Sequence, residues 1–553
     1  MKVLKFGGTS VANANNIALV KNIVSKSQAD KNIVVVSALG GVTDLLLNTA
    51  KLASAQNTAY KSSLKEIEER HLNTIKELIP VLQQSKVLSK VKSELNTLET
   101  LLEGAYLIGE ITPKLSDKIV SFGELLSSYI ISEYFISEKL NCTYKDSREL
   151  IKTNGNFGKA TVDFKVTNEN CKNYFSSVEQ DIIVMAGFIA SSLNGDSTTL
   201  GRGGSDYTAA IVASAINAEL LEIWTDVSGM YTANPRIVKQ AMAIPHISYE
   251  EAMELSHFGA KVLYPPTIQP VLSKGISIVI KNTFDADNEG TLITKNKNEH
   301  GKTVRGISHV ENIALLSLEG SGMVGIPGIS KRFFEVLSQS NISVVLITQA
   351  SSEHSICVGI ADNDSDKAVQ IVNEAFEYEI SLGKIKPVIA ERDLAIIALV
   401  GDNMKSHQGL SGKMFSTLGK NNVNIRAIAQ GASERNISAV IVKDDVKKAL
   451  NTLHEEFFED NTKQLNLFVM GVGNVGTKFL NQIKQQRKFL KDNLKLNVRV
   501  IGISNSRTMV FEEDGISLKN WEEKLKEGEK ADKQKFFEKI QKLNYRNSIF
   551  VDN

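Results

Sequence analysis

Two lysines, an arginine, two carboxylates and two glycine-rich turns recur at the ends of apolar runs in the first half of the chain, and together they make a phosphoryl-transfer inventory. Lys5-Phe6-Gly7-Gly8-Thr9-Ser10 follows the apolar start Val3-Leu4 and precedes a helical pattern. Glycines at such a junction let backbone N–H groups approach an anion, a helix N-terminus favours negative charge, and a strand lysine adds a point charge. The sequence GxxxxGK[ST] of a Walker A loop is absent. Gly201-Arg202-Gly203-Gly204-Ser205-Asp206 is a second glycine-rich loop opening a helix, with a guanidinium suited to a carboxylate and an acid beside it. Ser121-Phe122-Gly123-Glu124 reads as a carboxylate at a glycine turn into a helix. Thr225-Asp226-Val227-Ser228-Gly229-Met230-Tyr231 follows another apolar run and could cup a base and ribose, and Phe258-Gly259-Ala260-Lys261 adds the second lysine. Singly, each is also ordinary turn and cap chemistry, with Ser205 or Asp206 as an N-cap and Glu124 in a first helical turn. Five such clusters at strand ends are harder to explain that way. No general base with a triad-like partner accompanies them. A carboxylate acceptor needs none, because it is already ionised and nucleophilic, so positioning and charge neutralisation would carry the catalysis.

The elements that must position these residues alternate as in a βαβ sheet over 1–295, with strands expected at Val3–Phe6, Ile33–Ser37, Ile182–Phe188, Leu221–Thr225 and Ile276–Lys281. Residues 56–108 are polar, nearly free of glycine and proline, and carry Leu and Ile at helical spacing, which predicts a helical insertion whose charges are solvated. The 553 residues suffice for roughly three or four domains. Lys+Arg of 64 against Asp+Glu of 63 leaves no global charge to draw the chain to nucleic acid or anionic lipid. The apolar runs are strand-sized, so no membrane span is expected. Cys142, Cys171 and Cys357 are widely spaced and suggest neither a metal site nor a disulfide framework, which fits a cytoplasmic location.

Residues 296–306 read as a linker, and a repeat follows. Residues 327–360 align without a gap to 408–441, with 11 of 34 positions identical, among them Ile347/Ile428 and Gln349/Gln430. Each copy reads as helix, strand, turn, strand, a pseudo-symmetric pair suited to ligand binding or dimerisation rather than catalysis. A third unit opens at Leu465: a strand, then Gly471-Val472-Gly473-Asn474-Val475-Gly476 and a helix, as a dinucleotide site requires. The next strand ends without an acid for a ribose hydroxyl, and Arg507 there could meet a 2′-phosphate, which leans toward NADP.

KFGGTS (5–10), VVVSA (34–38), SFGE (121–124), GFI (187–189), TLGRGGSDYTAA (199–210), WTDVSGMYTANPR (224–236) and FGAKVLYPPTI (258–268), in this order and spacing, closely resemble the aspartokinase family of amino-acid kinases. The repeat at 313–460 is similar to the tandem ACT domains that follow this kinase. The GVGNVG start with VRVIGISNSR resembles the cofactor domain of homoserine dehydrogenase, and the whole order resembles the bifunctional aspartokinase/homoserine dehydrogenase family. The resemblance implies an α/β fold: an amino-acid-kinase three-layer sandwich over 1–295, ferredoxin-like ACT domains over 313–385 and 390–460, and a partial Rossmann fold over 465–553. It implies transfer of the ATP γ-phosphoryl group, with Mg2+, to the β-carboxylate of L-aspartate, the first step toward threonine, lysine and methionine. Lys5 and Lys261 would neutralise the transferring group and Asp206 would orient them. Gly7, Gly8, Gly203 and Gly204 would line the phosphates, while Thr225, Asp226, Tyr231 and Arg236 would hold ATP. Glu124 would pair with the substrate ammonium and Arg202 with a substrate carboxylate; Ser37, Phe188 and Ser205 would complete the aspartate pocket. Ile347, Gln349, Ile428 and Gln430 would be effector contacts, with threonine as feedback inhibitor and the ACT pair joining subunits into a dimer or tetramer. Gly471, Gly473, Asn474, Val475, Gly476 and Arg507 would hold NADP(H), with which a complete relative would reduce aspartate semialdehyde to homoserine.

Three departures from the family's pattern stand out. Thr208 replaces a serine, and Tyr264-Pro265-Pro266 replaces the commoner His-Pro-Arg. The dehydrogenase part stops before its nicotinamide-side residues and substrate-binding domain. The piece alone is therefore expected to be a fragment or split product, inactive as a dehydrogenase and with an apolar edge after 465. A kinase for glutamate or acetylglutamate, and a non-catalytic amino-acid sensor built on the ACT pair, are the competing readings.

Overall fold

The computed structural model describes every residue except 28, 258–262, 296–302, 324–325, 350–353, 403, 405–406, 432–434, 460–462, 544 and 546. The chain divides into two compact units: 1–232 with 242–308 and 400–403, and 233–241 with 309–399 and 404–553.

The first unit is built on an eight-stranded sheet. Its strands are β1 (Lys2–Phe6), β2 (Asn32–Val36), β3 (Cys142–Lys145), β4 (Ile182–Ala186), β5 (Leu220–Thr225), β6 (His246–Ser248), β7 (Ser277–Asn282) and β8 (Thr291–Thr294), in the order β3-β4-β2-β1-β5-β7-β8-β6. The first six in that order run parallel, and β8 turns back antiparallel on β7. β2 and β4 are buried along their whole length, which is why they read as unbroken apolar runs rather than alternating ones.

Helices cover both faces. α1 (Ala14–Ser25), α2 (Val42–Ser54), α3 (Tyr60–Leu78), α4 (Val81–Ile108) and α5 (Pro113–Ser137) pack with Leu4, Phe6, Val34 and Val36 on one side. α6 (Phe164–Ser177) and α7 (Gly204–Ile216) pack with Val3, Ile33 and Val35 on the other. α3 and α4 occupy the stretch expected to be a helical insertion. α5 corrects the expectation that apolar runs are only strand-sized: it is long and apolar enough to cross a membrane. However, 83% of its most apolar window is buried within the protein, so it is a core helix.

In the second unit the repeats form one six-stranded sheet. Its strands are β9 (Gly306–Glu319), β10 (Val344–Gln349), β11 (Ser355–Ala361), β12 (Ala390–Val400), β13 (Ile425–Gln430) and β14 (Asn436–Val442), in the order β10-β11-β9-β12-β14-β13. Helices α8 (Ile329–Gln339), α9 (Ser365–Ala375), α10 (Leu410–Lys420) and α11 (Val446–Phe458) accompany it. The duplication extends to an irregularity: the ladder slips between Val344 and Leu346 in one copy and between Ile425 and Ala427 in the other, the same repeat positions. Strand β9 already starts at Gly306, so the expected linker overlaps it, and 296–302 lie outside the described residues, as do the repeat's Ser352, Glu353, Ser433 and Glu434. The last part has a five-stranded sheet in which β15 (Lys463–Met470) lies between parallel β16 (Leu496–Ser504) and β19 (Ser548–Asp552). β17 (Thr508–Phe511) and β18 (Glu529–Lys530) extend it antiparallel. Helix α12 (Asn474–Leu494) packs on this sheet. Leu467, Val469, Leu480 and Val500 give it a packed core, while the edge strand β19 leaves Ile549 and Phe550 exposed.

Candidate active site

Parallel strands deliver their following loops to one edge of the sheet, which is where α/β sheets bind ligands. Here the backbone ladder carries on past the strands. Gly7 N–H bonds Trp224 O at 3.1 Å, Ser37 N–H bonds Phe6 O at 3.1 Å, Gly187 N–H bonds Val36 O at 2.8 Å and Thr283 N–H bonds Thr225 O at 2.9 Å. The loops after β1, β2, β4, β5 and β7 are thereby stitched side by side.

At their centre Lys5, 8% exposed on β1, places its Nζ 2.5 Å from Asp206 Oδ1 in the first turn of α7, an ion pair without the angles of a hydrogen bond. KFGGTS and GRGGSD thus meet through their charged residues. The glycines differ from expectation in one respect. Gly7 and Gly8 lie in a turn, with Ser10 and Val11 N–H both bonding Gly7 O, and α1 begins only at Ala14 with Asn13 as its own cap. No helix N-terminus therefore stands at these glycines; what they offer an anion is turn backbone beside Lys5. Ser10 Oγ is 2.7 Å from Thr283 Oγ1, which ties this turn to the loop after β7.

The loop after β4 is held in a strained form. Phe188 has φ of 66°, rare for a bulky residue. Its N–H donates to Thr208 Oγ1 at 3.0 Å and its carbonyl accepts from Leu200 N–H at 2.9 Å. Thr208 keeps the hydroxyl of the serine it replaces, and the hydroxyl is what Phe188 uses. A Cβ on Gly187 would stand 2.6 Å from Ser205 Cβ, and one on Gly204 would stand 2.7 Å from Phe188 Cδ2, so glycine is required at both contacts. Gly203, with φ of 70°, lies against Tyr264, whose Cβ would be 2.6 Å from any Cβ placed there. The aromatic that departs from the family pattern thus packs on the second glycine loop. Arg202 is exposed on that loop.

Ser121-Phe122-Gly123-Glu124 is not a turn. It lies in the middle of the 25-residue α5, and Gly123 serves close packing: a Cβ there would stand 2.9 Å from Ala38 Cβ. This approach brings α5 onto the loop after β2. Ser127 Oγ donates to Ser37 O at 2.8 Å, and the Ala38 backbone hydrogen-bonds the Glu124 carboxyl. Glu124 is 3% exposed, its Oε2 has no hydrogen-bond partner among the described residues, and burial pushes its pKa up to about 8 against the partial relief of the Ala38 bond. A buried carboxyl with one unused oxygen is a receptor for a cation. Seven residues earlier on α5, buried Asp117 accepts from Thr199 N–H at 3.0 Å, Thr199 Oγ1 at 2.9 Å and Gly158 N–H at 2.9 Å. It anchors the strand leading into GRGGSD. Nothing in the sequence marks Asp117 or Thr283, since each is a single polar residue whose partner is distant in the chain, and Tyr264 is marked only as a departure from the family pattern, not as a neighbour of Gly203.

Thr225 ends β5 and Asp226 follows it at the same edge, Thr225 Oγ1 donating to Asp226 Oδ1 at 3.2 Å, and Tyr231 bridges to Ala243. Arg236 belongs by its packing to the second unit, where it lines a polar cavity of about 850 Å³. Lys261 lies outside the described residues.

In the repeat sheet Ile347 and Gln349 share one face of edge strand β10, and Ile428 and Gln430 share one face of edge strand β13; all four are exposed. These two edges approach each other. Ser411 Oγ donates to Gln430 Oε1 at 3.1 Å. In the last part a Cβ on Gly476 would stand 2.6 Å from Gly471 O, while Gly473 faces open space at the start of α12 with no side-chain cap. Such a helix start leaves backbone N–H groups open to an anion. Val475 and Arg507 are exposed.

The amino acid kinase family matches residues 1–282, and the ACT domain matches 316–376 and 397–457. The chain is 37% identical to bifunctional aspartokinase/homoserine dehydrogenase 1, chloroplastic, of Arabidopsis thaliana over 100% of its own length and 61% of that protein's. It thus spans about three fifths of the length of that plant relative. Against the bifunctional aspartokinase/homoserine dehydrogenase of Buchnera aphidicola it is 34% identical over 100% of itself and 68% of the relative. The structure of E. coli aspartokinase III in complex with aspartate and ADP superposes with a TM-score of 0.72 at 32% identity, covering 83% of this chain and 100% of that one.

Proposed function

The chain belongs to the amino acid kinase family, among the bifunctional aspartokinase/homoserine dehydrogenases, and on that premise we propose that it transfers the γ-phosphoryl group of ATP to the β-carboxylate of L-aspartate. The observation that carries the reading is the Lys5–Asp206 pair at 2.5 Å, set between two glycine turns at the carboxyl edge of the sheet. The E. coli relative bound to aspartate and ADP supports the choice of substrates. ATP, as its magnesium complex, lies with its phosphates over Gly7, Gly8, Gly203 and Gly204 and its nucleoside end toward Thr225, Asp226 and Tyr231. Glu124 takes the substrate ammonium and Arg202 the α-carboxylate, with Ser37, Phe188 and Ser205 shaping the pocket. The β-carboxylate oxygen attacks the γ-phosphorus as the bond to the β,γ-bridging oxygen breaks. Lys5, with Lys261, offsets the charge that spreads over the transferring group. No proton leaves the acceptor, so no base is consumed. ATP-dependent formation of aspartyl hydroxamate, with glutamate as the comparison substrate, tests this. The wild type should turn over aspartate and Lys5→Ala should not; turnover by Lys5→Ala equal to wild type would refute the assignment.

The repeat supports feedback inhibition by threonine at Ile347, Gln349, Ile428 and Gln430, since the same Ile–Gln pair recurs on both approaching edges. Threonine, lysine and methionine should be compared, and Gln430→Ala should lose the threonine response that the wild type shows. The ACT pair would also join subunits into a dimer or tetramer. In the last part Gly471, Gly473, Asn474, Val475, Gly476 and Arg507 would hold NADP(H), which supplies the hydride when bound; titration with NADPH tests its binding.

A further inference from the structure

The polar insertion formed by α3 and α4 has a largely solvated outer face, and its inward-facing polar groups include buried His71 and Thr74. Arg70 on α3 turns inward, and its Nη2 donates to the carbonyl of Gly40 at 2.6 Å. Its helix is fixed by the buried face Tyr60, Leu64, Ile67, His71 and Ile75. Gly40 belongs to the loop after β2 that joins Ser37 and Ala38 to α2. That loop is crowded and left-handed: Gly41 has φ of 79°, and a Cβ on Gly40 would stand 2.9 Å from Ala12 Cβ.

We propose that Arg70 is a positioning residue for the aspartate side of the site, clamping the Ser37–Gly41 loop so that Ala38 meets Glu124. The proposal rests on the aspartate kinase reading above. The KFGGTS turn has its own anchors, Gly7 to Trp224 and Ser10 to Thr283. The Ser37–Gly41 loop is held from outside the sheet by Ser127 at one end and Arg70 at the other. Gly40 also lies against Ala12 and the Gly8 carbonyl, but the KFGGTS turn keeps its Gly7–Trp224 and Ser10–Thr283 ties, so losing the Arg70 bond acts more strongly on the amino-acid side than on the phosphate side. Charge-assisted hydrogen bonds are among the stronger ones, and a fixed helix presents this one without further ordering.

The test compares wild type, Arg70→Met and Arg70→Lys in the hydroxamate assay. Arg70→Met should raise the aspartate KM about tenfold, with the ATP KM within about twofold, and Arg70→Lys should recover much of the loss. A residue that merely supported the fold would lower kcat and thermal stability and leave both KM values in place, and that result, or an unchanged aspartate KM, would overturn the proposal. Amide exchange over Ala38–Leu45 gives a readout independent of substrate. It should speed up in Arg70→Met while the core of α3 stays protected, and unchanged exchange would refute the clamp. Wild type inactive toward aspartate would instead count against the functional reading, leaving the clamp to be decided by exchange alone.

Discussion

Replacing Glu124 by Gln separates the charge of this side chain from its shape. The folded carboxyl holds its proton up to about pH 8, whereas an unfolded one releases it near 4.5. Between those values the folded state binds the extra proton, so stability falls as pH rises, by up to about 1.4 kcal/mol per unit. From pH 5 to pH 7 the loss comes to roughly 2–3 kcal/mol. Glu124→Gln has no such ionisation, so its stability relative to wild type should climb by about that amount over the window, measured by urea unfolding at each pH. The substrate side follows from the same number. A group with a pKa of about 8 is only about one-tenth ionised at pH 7 and half ionised at pH 8. If the ion receives the aspartate ammonium, the wild-type aspartate KM should fall about fivefold from pH 7 to 8. Binding at pH 7 should release about 0.9 proton, seen by calorimetry in buffers of different ionisation enthalpy. Glu124→Gln should bind aspartate about 10- to 100-fold more weakly and without proton release. Parallel stability curves for the two proteins from pH 5 to 8, or a wild-type aspartate KM flat across that range, would refute a buried neutral acid awaiting a cation.

Lys5→Ala should do more than remove turnover: it strands the nearly buried Asp206 carboxylate and should cost roughly 3 kcal/mol of stability, which denaturant titration would show. Gly187→Ala forces a Cβ to within 2.6 Å of Ser205 Cβ and 2.8 Å of its Cα, so the GRGGSD loop must shift. A loss of about 1–3 kcal/mol together with a lower kcat/KM is expected, and wild-type values of both would contradict the contact. Asp117→Asn can keep an oxygen on the Gly158 and Thr199 N–H groups, which share one carboxylate oxygen, but it loses the charge that strengthens those bonds and turns an amide N–H2 toward Thr199 Oγ1; about 1 kcal/mol of destabilisation and a raised aspartate KM are expected. Equal unfolding curves for Asp117→Asn and wild type would show that the anchor is dispensable.

The chain itself determined what is contiguous. Turn glycines stand beside Lys5 in KFGGTS and beside Asp206 in GRGGSD, so each segment is legible as a candidate anion site before any fold is known. The duplicated Ile–Gln pair is legible for the same reason, as a repeat at constant offset. Expectation failed where local chemistry was read without its surroundings. SFGE looked like a turn because glycine weakens helices, yet the helix runs through it, its apolar flanks holding it in the core. The glycine is needed for the approach of Ala38, thirty-eighth in the chain. The tertiary structure alone decided the state of Glu124, because desolvation is set by every group packed around a carboxyl and not by its neighbours in sequence. It also decided the reach of Arg70 to Gly40 and of Asp117 to Thr199, contacts between residues 30 and 82 positions apart. Single polar residues carry no pattern until folding brings their partners within hydrogen-bonding distance.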